Sequence, residues 1–375
     1  MTATKYGTEL SDCFKEIYMD LHKILNDAIN KKASDIFFIS GAHLGYRIAG
    51  QIVTQDSEIF SPITVQSYVN DIFSLASFDA SDEIRNSGEL DFSFSVPGTG
   101  RFRANVYRQR GSLAVVLRYV MFDLPDYRQL NIPESVINLS NLSKGIVLIT
   151  GAAGSGKSTT LSCMIDTINS TRSCHIITIE DPIEFLHKHK KSFISQREIN
   201  IDTKNYINAL RAALRQSPNV ILLGEMRDYE TITTAMTAAE TGQLILSTLH
   251  TTGAANTIDR IIDVFPPNQQ HQIRVQLSMV LQAVVSQQLL PSTDGALIPA
   301  FEIMLVNSAI KTMIRECKTH QIDTVIQSSE GMQTMDSDII RLVNEGKITP
   351  QTAVEFSTNP DIMARRLNIS CDLIT

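Results

Sequence analysis

The chain has 375 residues, too many for one small hydrophobic core, so two or three domains are expected. A hydrophobic fraction of 43 % and a charged fraction of 19 % match an ordinary soluble globular protein. A net charge of −7 excludes broad electrostatic attachment to nucleic acid, and the longest apolar runs fall far short of the roughly 20 residues that span a bilayer.

In chain order, residues 1 to about 20 are polar and mixed and read as an N-terminal extension. Leu21, Ile24, Leu25, Ala28 and Ile29 recur at helical spacing. Ser34–Ser40 reads as a strand, and Tyr46–Val53 as a hairpin turning at Gly50. Pro62 starts a helix that runs through Thr64–Phe73. Glu89–Val96 and Arg101–Tyr107 alternate apolar and polar residues, the period of a half-buried strand, and Leu113–Val120 follows as another. Residues 21–122 therefore read as an α+β domain with a largely antiparallel sheet. Residues 123–135, holding Pro125 and Pro133, have linker composition. From 136 to 375 apolar strands alternate with helices, at Ile146–Thr150, His175–Ile179, Val220–Leu223 and Leu244–Thr248, which is the α/β pattern of a parallel sheet. The stretch from about 270 reads as helix-rich.

One segment dominates the chemistry. Gly151-Ala152-Ala153-Gly154-Ser155-Gly156-Lys157-Ser158 fits G-x-x-x-x-G-K-[ST], directly after the apolar run Gly145–Thr150 and before a helical stretch from Thr159 to Asn169. Strand, glycine turn and helix in that order are the context of a phosphate-binding P-loop. Glycines let backbone N–H groups curl around phosphate oxygens at a helix N-terminus. Lys157 can reach the β- and γ-phosphates, and the Ser158 hydroxyl can ligate Mg²⁺, so ATP and Mg²⁺ are the expected ligands.

Such a site needs an acid at the end of a neighbouring strand. Asn219–Leu223, Gly224 and Glu225 supply it, with Glu225 also approaching the metal through water; Asp228 suits a helix cap better. Glu180, Asp181 and Glu184 put three carboxylates within five residues after another buried strand, which suits either a metal-water environment or solvated surface. His250 ends the fourth apolar strand, where it could contact a γ-phosphate or serve structure alone. Arg101 and Arg103 share one face of their strand, and Arg118 lies in the same domain. Such arginines could stabilise phosphate charge, as arginine fingers do, or pair with Glu89 or Asp91. Lys188-His-Lys-Lys191 reads as a solvated loop or helix face. Met1-Thr-Ala-Thr-Lys-Tyr6 has no signal-peptide pattern, and the five cysteines form no C-x-x-C pair, so a cytoplasmic, reducing location without structural zinc is expected.

These residues together carry a resemblance. The 151–159 segment, Ile177–Phe185, Gly224-Glu-Met-Arg-Asp228, and Thr248-Leu-His-Thr-Thr252 with Thr257-Ile-Asp-Arg260 stand in the order of the Walker A, Asp, Walker B and His boxes of the secretion-ATPase superfamily. Ala309–Glu316 resembles the A-I-R-N-L-I-R-E motif of its PilT-type pilus retraction branch, with Lys311, Thr312 and Met313 departing from it. Gly331–Asp336 resembles the G-M-Q-T-L-D segment that follows. Asn219 stands where Asp is usual.

The resemblance implies a RecA-like P-loop ATPase domain with an N-terminal PAS-like domain and a helical C-terminal part. It implies phosphate binding by residues 151–159, metal binding by Ser158, support of metal or water by Glu180 and Glu225, and a γ-phosphate contact by His250. Arg103 and Arg118, with Arg101 less directly, would bring charge to the nucleotide. A homo-hexamer acting on an inner-membrane platform protein, alongside paralogous pilus ATPases, would drive pilus retraction. It would lie peripherally at the cytoplasmic membrane without inserting, and nucleic acid is not an expected partner. Powering pilus assembly or a type IV secretion channel is the alternative.

Overall fold

The computed structural model describes residues 20–76, 84, 86–120 and 124–368. The expected extension before residue 20, the tail after 368, Cys13 and Cys371 lie outside them. The chain divides into two compact units, residues 1–122 and 123–375.

Unit 1 contains α1 (Leu21–Asn30), β1 (Asp35–Ile39), β2 (Gly45–Ile48), β3 (Gln51–Thr54), α2 (Pro62–Ala76), β4 (Glu89–Val96), β5 (Gly100–Gln109) and β6 (Ser112–Val120). Its sheet runs β3-β2-β1-β6-β5-β4, with every pairing antiparallel. α1 starts where Asp20 caps the His22 N–H, and it buries Leu21, Ile24, Leu25 and Ala28, the residues whose spacing marked it. On β5, apolar Phe102, Ala104 and Val106 are buried while Arg101 and Arg103 take the other face.

Unit 2 holds α3 (Glu134–Ile137), β7 (Gly145–Thr150), α4 (Lys157–Thr171), β8 (His175–Glu180), β9 (Phe193–Glu198), α5 (Tyr206–Ala213), β10 (Val220–Leu223), α6 (Tyr229–Glu240), β11 (Leu244–Leu249), α7 (Ala254–Asp263) and α8 (Pro267–Val280). β12 (Leu281–Pro291), β13 (Leu297–Leu305), α9 (Ser308–Arg315), α10 (Ile322–Ser328), α11 (Met335–Asn344), α12 (Pro350–Phe356) and α13 (Pro360–Arg366) complete it. Its sheet runs β13-β12-β7-β11-β10-β8-β9 and is parallel except where β13 pairs antiparallel with β12. Strands β7, β10 and β11 are buried on both faces, which is why they read as unbroken apolar runs rather than as alternation.

Two readings need correction. The region from about 270 is not helical throughout: after α8, β12 and β13 form a long hairpin, and helices resume at Ser308. Leu281–Pro291 is buried on both faces along most of its length yet carries polar residues at Gln282, Ser286, Gln287 and Gln288, so it has no strand period to read. Strand β9 escaped notice because its edge position leaves Phe193 and Ser195 exposed. The segment of linker composition also packs down: Ile132 is buried, and Leu124, Tyr127 and Leu130 lean on the core beneath the sheet of unit 2. The 188–191 run is a loop, as read, with Lys190 paired to Asp166 at 2.7 Å.

Candidate functional site

In the sheet of unit 2, β7, β11, β10 and β8 are neighbours in that order, and all four run parallel. Their C-terminal ends therefore open onto one edge, where ligands bind in open α/β sheets. β7 delivers the glycine turn 151–156, β11 delivers His250, β10 delivers Glu225, and β8 ends on Glu180.

The turn itself depends on its glycines. Gly151, Gly154 and Gly156 hold φ of +141°, +77° and +86°, a region costly for residues with a Cβ. A side chain on Gly156 would also run into Gln287 of β12. Gln287 braces the turn from below, with its Oε1 accepting from Thr160 Oγ1 at 2.7 Å, and Thr150 and Ser286 hydroxyls meet at 2.8 Å beside it. Sequence reasoning missed Gln287; the polar run Ser286-Gln287-Gln288 inside a largely buried strand was the available signal.

Lys157 is buried, and its ammonium donates to the carbonyls of Gly151 at 2.9 Å and Ala152 at 2.6 Å. Burial lowers its pKa, while Glu184 and Glu225 push the other way. Ser155 Oγ is buried in the turn without a hydrogen-bond partner among the described residues, a donor that suits an incoming phosphate oxygen.

Ser158 Oγ donates to Glu184 Oε1 at 3.0 Å. Glu184 thus lies where a hydroxyl and a carboxylate could share a hard cation such as Mg²⁺, which takes few protein ligands and keeps water and phosphate. No group of three or more His, Cys, Asp or Glu placed to hold a metal occurs among the described residues. The sequence reading placed Glu184 in the acidic cluster without a role of its own. Glu180 turns instead toward Thr178, which donates to it at 2.6 Å, and Gln196 of β9, at 3.3 Å. Burial pushes its carboxyl up to about 7, against those two hydrogen bonds, with Glu184 and Glu198 adding repulsion.

Gly224 lets β10 turn beneath Tyr206, whose hydroxyl leaves no room for a side chain there. Thr248 Oγ1 donates to the Gly224 carbonyl at 2.6 Å, tying the turn to β11. Glu225 Oε2 then accepts from Arg227 Nε at 2.6 Å and lies 3.5 Å from His250 Nε2. These residues line a cavity of about 390 Å³ with Thr251 and Arg260. Asp228 caps α6, accepting from the Thr231 N–H at 2.8 Å. Asn219 accepts from the His175 N–H at 2.9 Å, joining the starts of β8 and β10, a bond that needs an acceptor but no charge.

The arginines belong to unit 1. Arg103 and Arg118 stand directly opposite on β5 and β6. Each has an acidic partner: Arg118 Nε meets Asp35 at 2.9 Å and Arg103 Nη2 approaches Asp91 at 3.8 Å. Arg101 Nη1 donates to Ser95 Oγ at 3.3 Å.

A parallel sheet whose strand ends carry a glycine turn, a buried lysine, a Ser–Glu pair and a Glu–His pair defines a P-loop nucleotide-binding protein. The family model for the type II/IV secretion system protein matches residues 11–348, and the chain belongs to that family. It is 41 % identical over 345 residues, 92 % of this chain and 99 % of the relative, to the type IV pilus retractation ATPase PilT of Pseudomonas aeruginosa. It is 47 % identical over 279 residues, 74 % of this chain and 75 % of the relative, to a twitching motility protein of Neisseria gonorrhoeae. Its fold superposes on the crystal structure of the pilus retraction motor PilT with bound ADP at a TM-score of 0.86 and 45 % identity, covering 92 % of this chain and 99 % of that one.

Proposed function

We propose that this chain is an ATP-hydrolysing motor subunit that drives type IV pilus retraction. The observation that carries this reading is the convergence, on one sheet edge, of Lys157, the Ser158–Glu184 pair and the Glu225–His250 pair. These supply phosphate binding, a metal position and an acid for the attacking water. The near full-length likeness to retraction ATPases supports the direction of the work.

The backbone of residues 151–159 cradles the phosphates, and Lys157 exchanges its carbonyl partners for phosphate oxygens. Bound Mg²⁺, held by Ser158 with Glu184 close by, would neutralise charge on the transferring phosphoryl group. Glu225 orients the attacking water, and His250 contacts the γ-phosphate. Glu180 supports this arrangement through the network it shares with Gln196. Arg103 and Arg118, with Arg101, supply positive charge to the nucleotide during the cycle. A site with different contacts before and after hydrolysis can bias a conformational equilibrium, as a motor requires. Subunits work as a homo-hexamer beneath the cytoplasmic membrane, acting on an inner-membrane platform protein and in concert with paralogous pilus ATPases. Among the described residues no helix is long and apolar enough to cross a membrane.

The test is pilus behaviour in a strain lacking the gene, with surface fibres counted by electron microscopy and twitching scored. More fibres without motility supports retraction. Loss of fibres would reassign the protein to assembly, and unchanged pili with lost DNA or protein transfer to secretion.

A further inference from the structure

Glu184 meets Ser158 from a loop rather than from a strand, so its place depends on what holds that loop. The edge strand β9 holds it. Period-two spacing puts Ile194, Gln196 and Glu198 on one face of β9. Ile194 belongs to the same apolar cluster as Leu161 and Ile165 of α4, so this face looks toward the helix that carries Ser158. Gln196 Oε1 accepts the His187 N–H at 2.8 Å, and its Nε2 donates to the Phe185 carbonyl at 2.9 Å and to Glu180 Oε1 at 3.3 Å. Two residues further along the strand, the buried Glu198 carboxylate accepts the Ile183 N–H at 3.3 Å. Backbone groups of Ile183, Phe185 and His187 are therefore all tied to two side chains of one strand, and Glu184 lies between the first two.

We infer that Gln196 and Glu198 are positioning residues that bracket the 183–187 loop and hold the Glu184 carboxylate at Ser158. A carboxylate fixed in this way needs little ordering when Mg²⁺ arrives with nucleotide, whereas one on an unheld loop must be ordered first, at a cost in affinity. The edge of the sheet thus sets how tightly the site takes the metal, and the Gln196 amide joins the bracket to Glu180. The inference rests on the reading of Glu184 as the carboxylate beside the metal.

Two variants cut the bracket from its two sides. Gln196→Met and Glu198→Met keep side-chain length and remove the hydrogen bonds. ADP binding to the full chain is measured by calorimetry with Mg²⁺ and with a chelator. Each variant should lower the Mg²⁺-dependent gain in ADP affinity about tenfold and leave affinity in chelator unchanged. Adding Gln196→Met to Glu184→Gln should lose nothing further, because both act through one carboxylate. An unchanged gain in the folded variants, or losses that multiply, would overturn the bracket. Hydrogen exchange without nucleotide gives a second readout. In Gln196→Met, faster exchange at Ile183, whose own acceptor is untouched, together with His187 supports a loop held as one piece. Faster exchange at His187 alone would reduce Gln196 to a local contact and overturn the inference. If Glu184→Gln keeps the full Mg²⁺ gain, the metal reading of Glu184 fails and the exchange result alone judges the bracket.

Discussion

Ser158 Oγ and Glu184 Oε1 lie 3.0 Å apart, joining the first turn of the P-loop helix to the acidic loop after β8. This contact selects one carboxylate out of three neighbours, and it is the one that Mg²⁺ binding should depend on. Glu184→Gln should shift the Mg²⁺ concentration for half-maximal turnover upward about tenfold, with metal-free nucleotide binding intact. A magnesium titration with unchanged midpoint would move the metal role to another group.

Glu225 lies 3.5 Å from His250 at the end of β10, and in the proposed function it orients the attacking water. Glu225→Gln should reduce kcat by about 10²–10⁴-fold while ATP still binds. Single-turnover assays with equilibrium binding check this; surviving turnover would refute the assignment.

Glu180 links the site to pH. Its carboxyl is raised from 4.5 to about 7 by burial, so the folded state holds the proton more tightly than the unfolded chain between those values. Stability should therefore fall as pH rises through that window, because the buried group must ionise. Glu180→Gln removes this cost. Its melting temperature relative to the unaltered chain should be similar near pH 4.5 and higher by about 5 °C at pH 8. Parallel melting curves across the range would count against the buried acid.

Arg103 and Arg118 can be separated by stability. Asp35 is buried and held by both Arg118 and Arg47, so Arg118→Ala should cost about 1 kcal/mol in urea unfolding, whereas Arg103, with a 3.8 Å exposed pair, should cost nothing measurable. In assembled rings Arg103→Ala should still lower ATPase activity while sparing nucleotide affinity. Equal loss of affinity would point to direct binding or folding instead.

Gln287 holds the P-loop from beneath. Gln287→Ala strands the buried Thr160 hydroxyl and opens space under Gly156, and should destabilise the chain by about 2 kcal/mol and weaken ADP binding. Calorimetric binding and thermal unfolding read both effects.

Much of this was legible in the residue order. The glycine turn, its lysine and serine, and the apolar strands β7, β8, β10 and β11 were visible because local chemistry demands them: a phosphate cradle needs glycines, and a two-face-buried strand needs unbroken apolar residues. The alternation in β4 and β5 likewise set the face carrying Arg101 and Arg103. β12 was not legible, since burial of both faces with polar residues interspersed erases its period, and β9 was not, since an edge strand carries little pattern.

By itself the sequence determined that a nucleotide site exists, which strand and helix build it, and which acids and histidine stand at strand ends. The tertiary structure decided which of them meet. Glu184 rather than Glu180 touches Ser158, Arg227 and His250 converge on Glu225, and Gln287 reaches the site from a strand more than 120 residues from its partner Thr160. Those pairings follow from strand order and from the turn of a loop, which no spacing along one chain encodes.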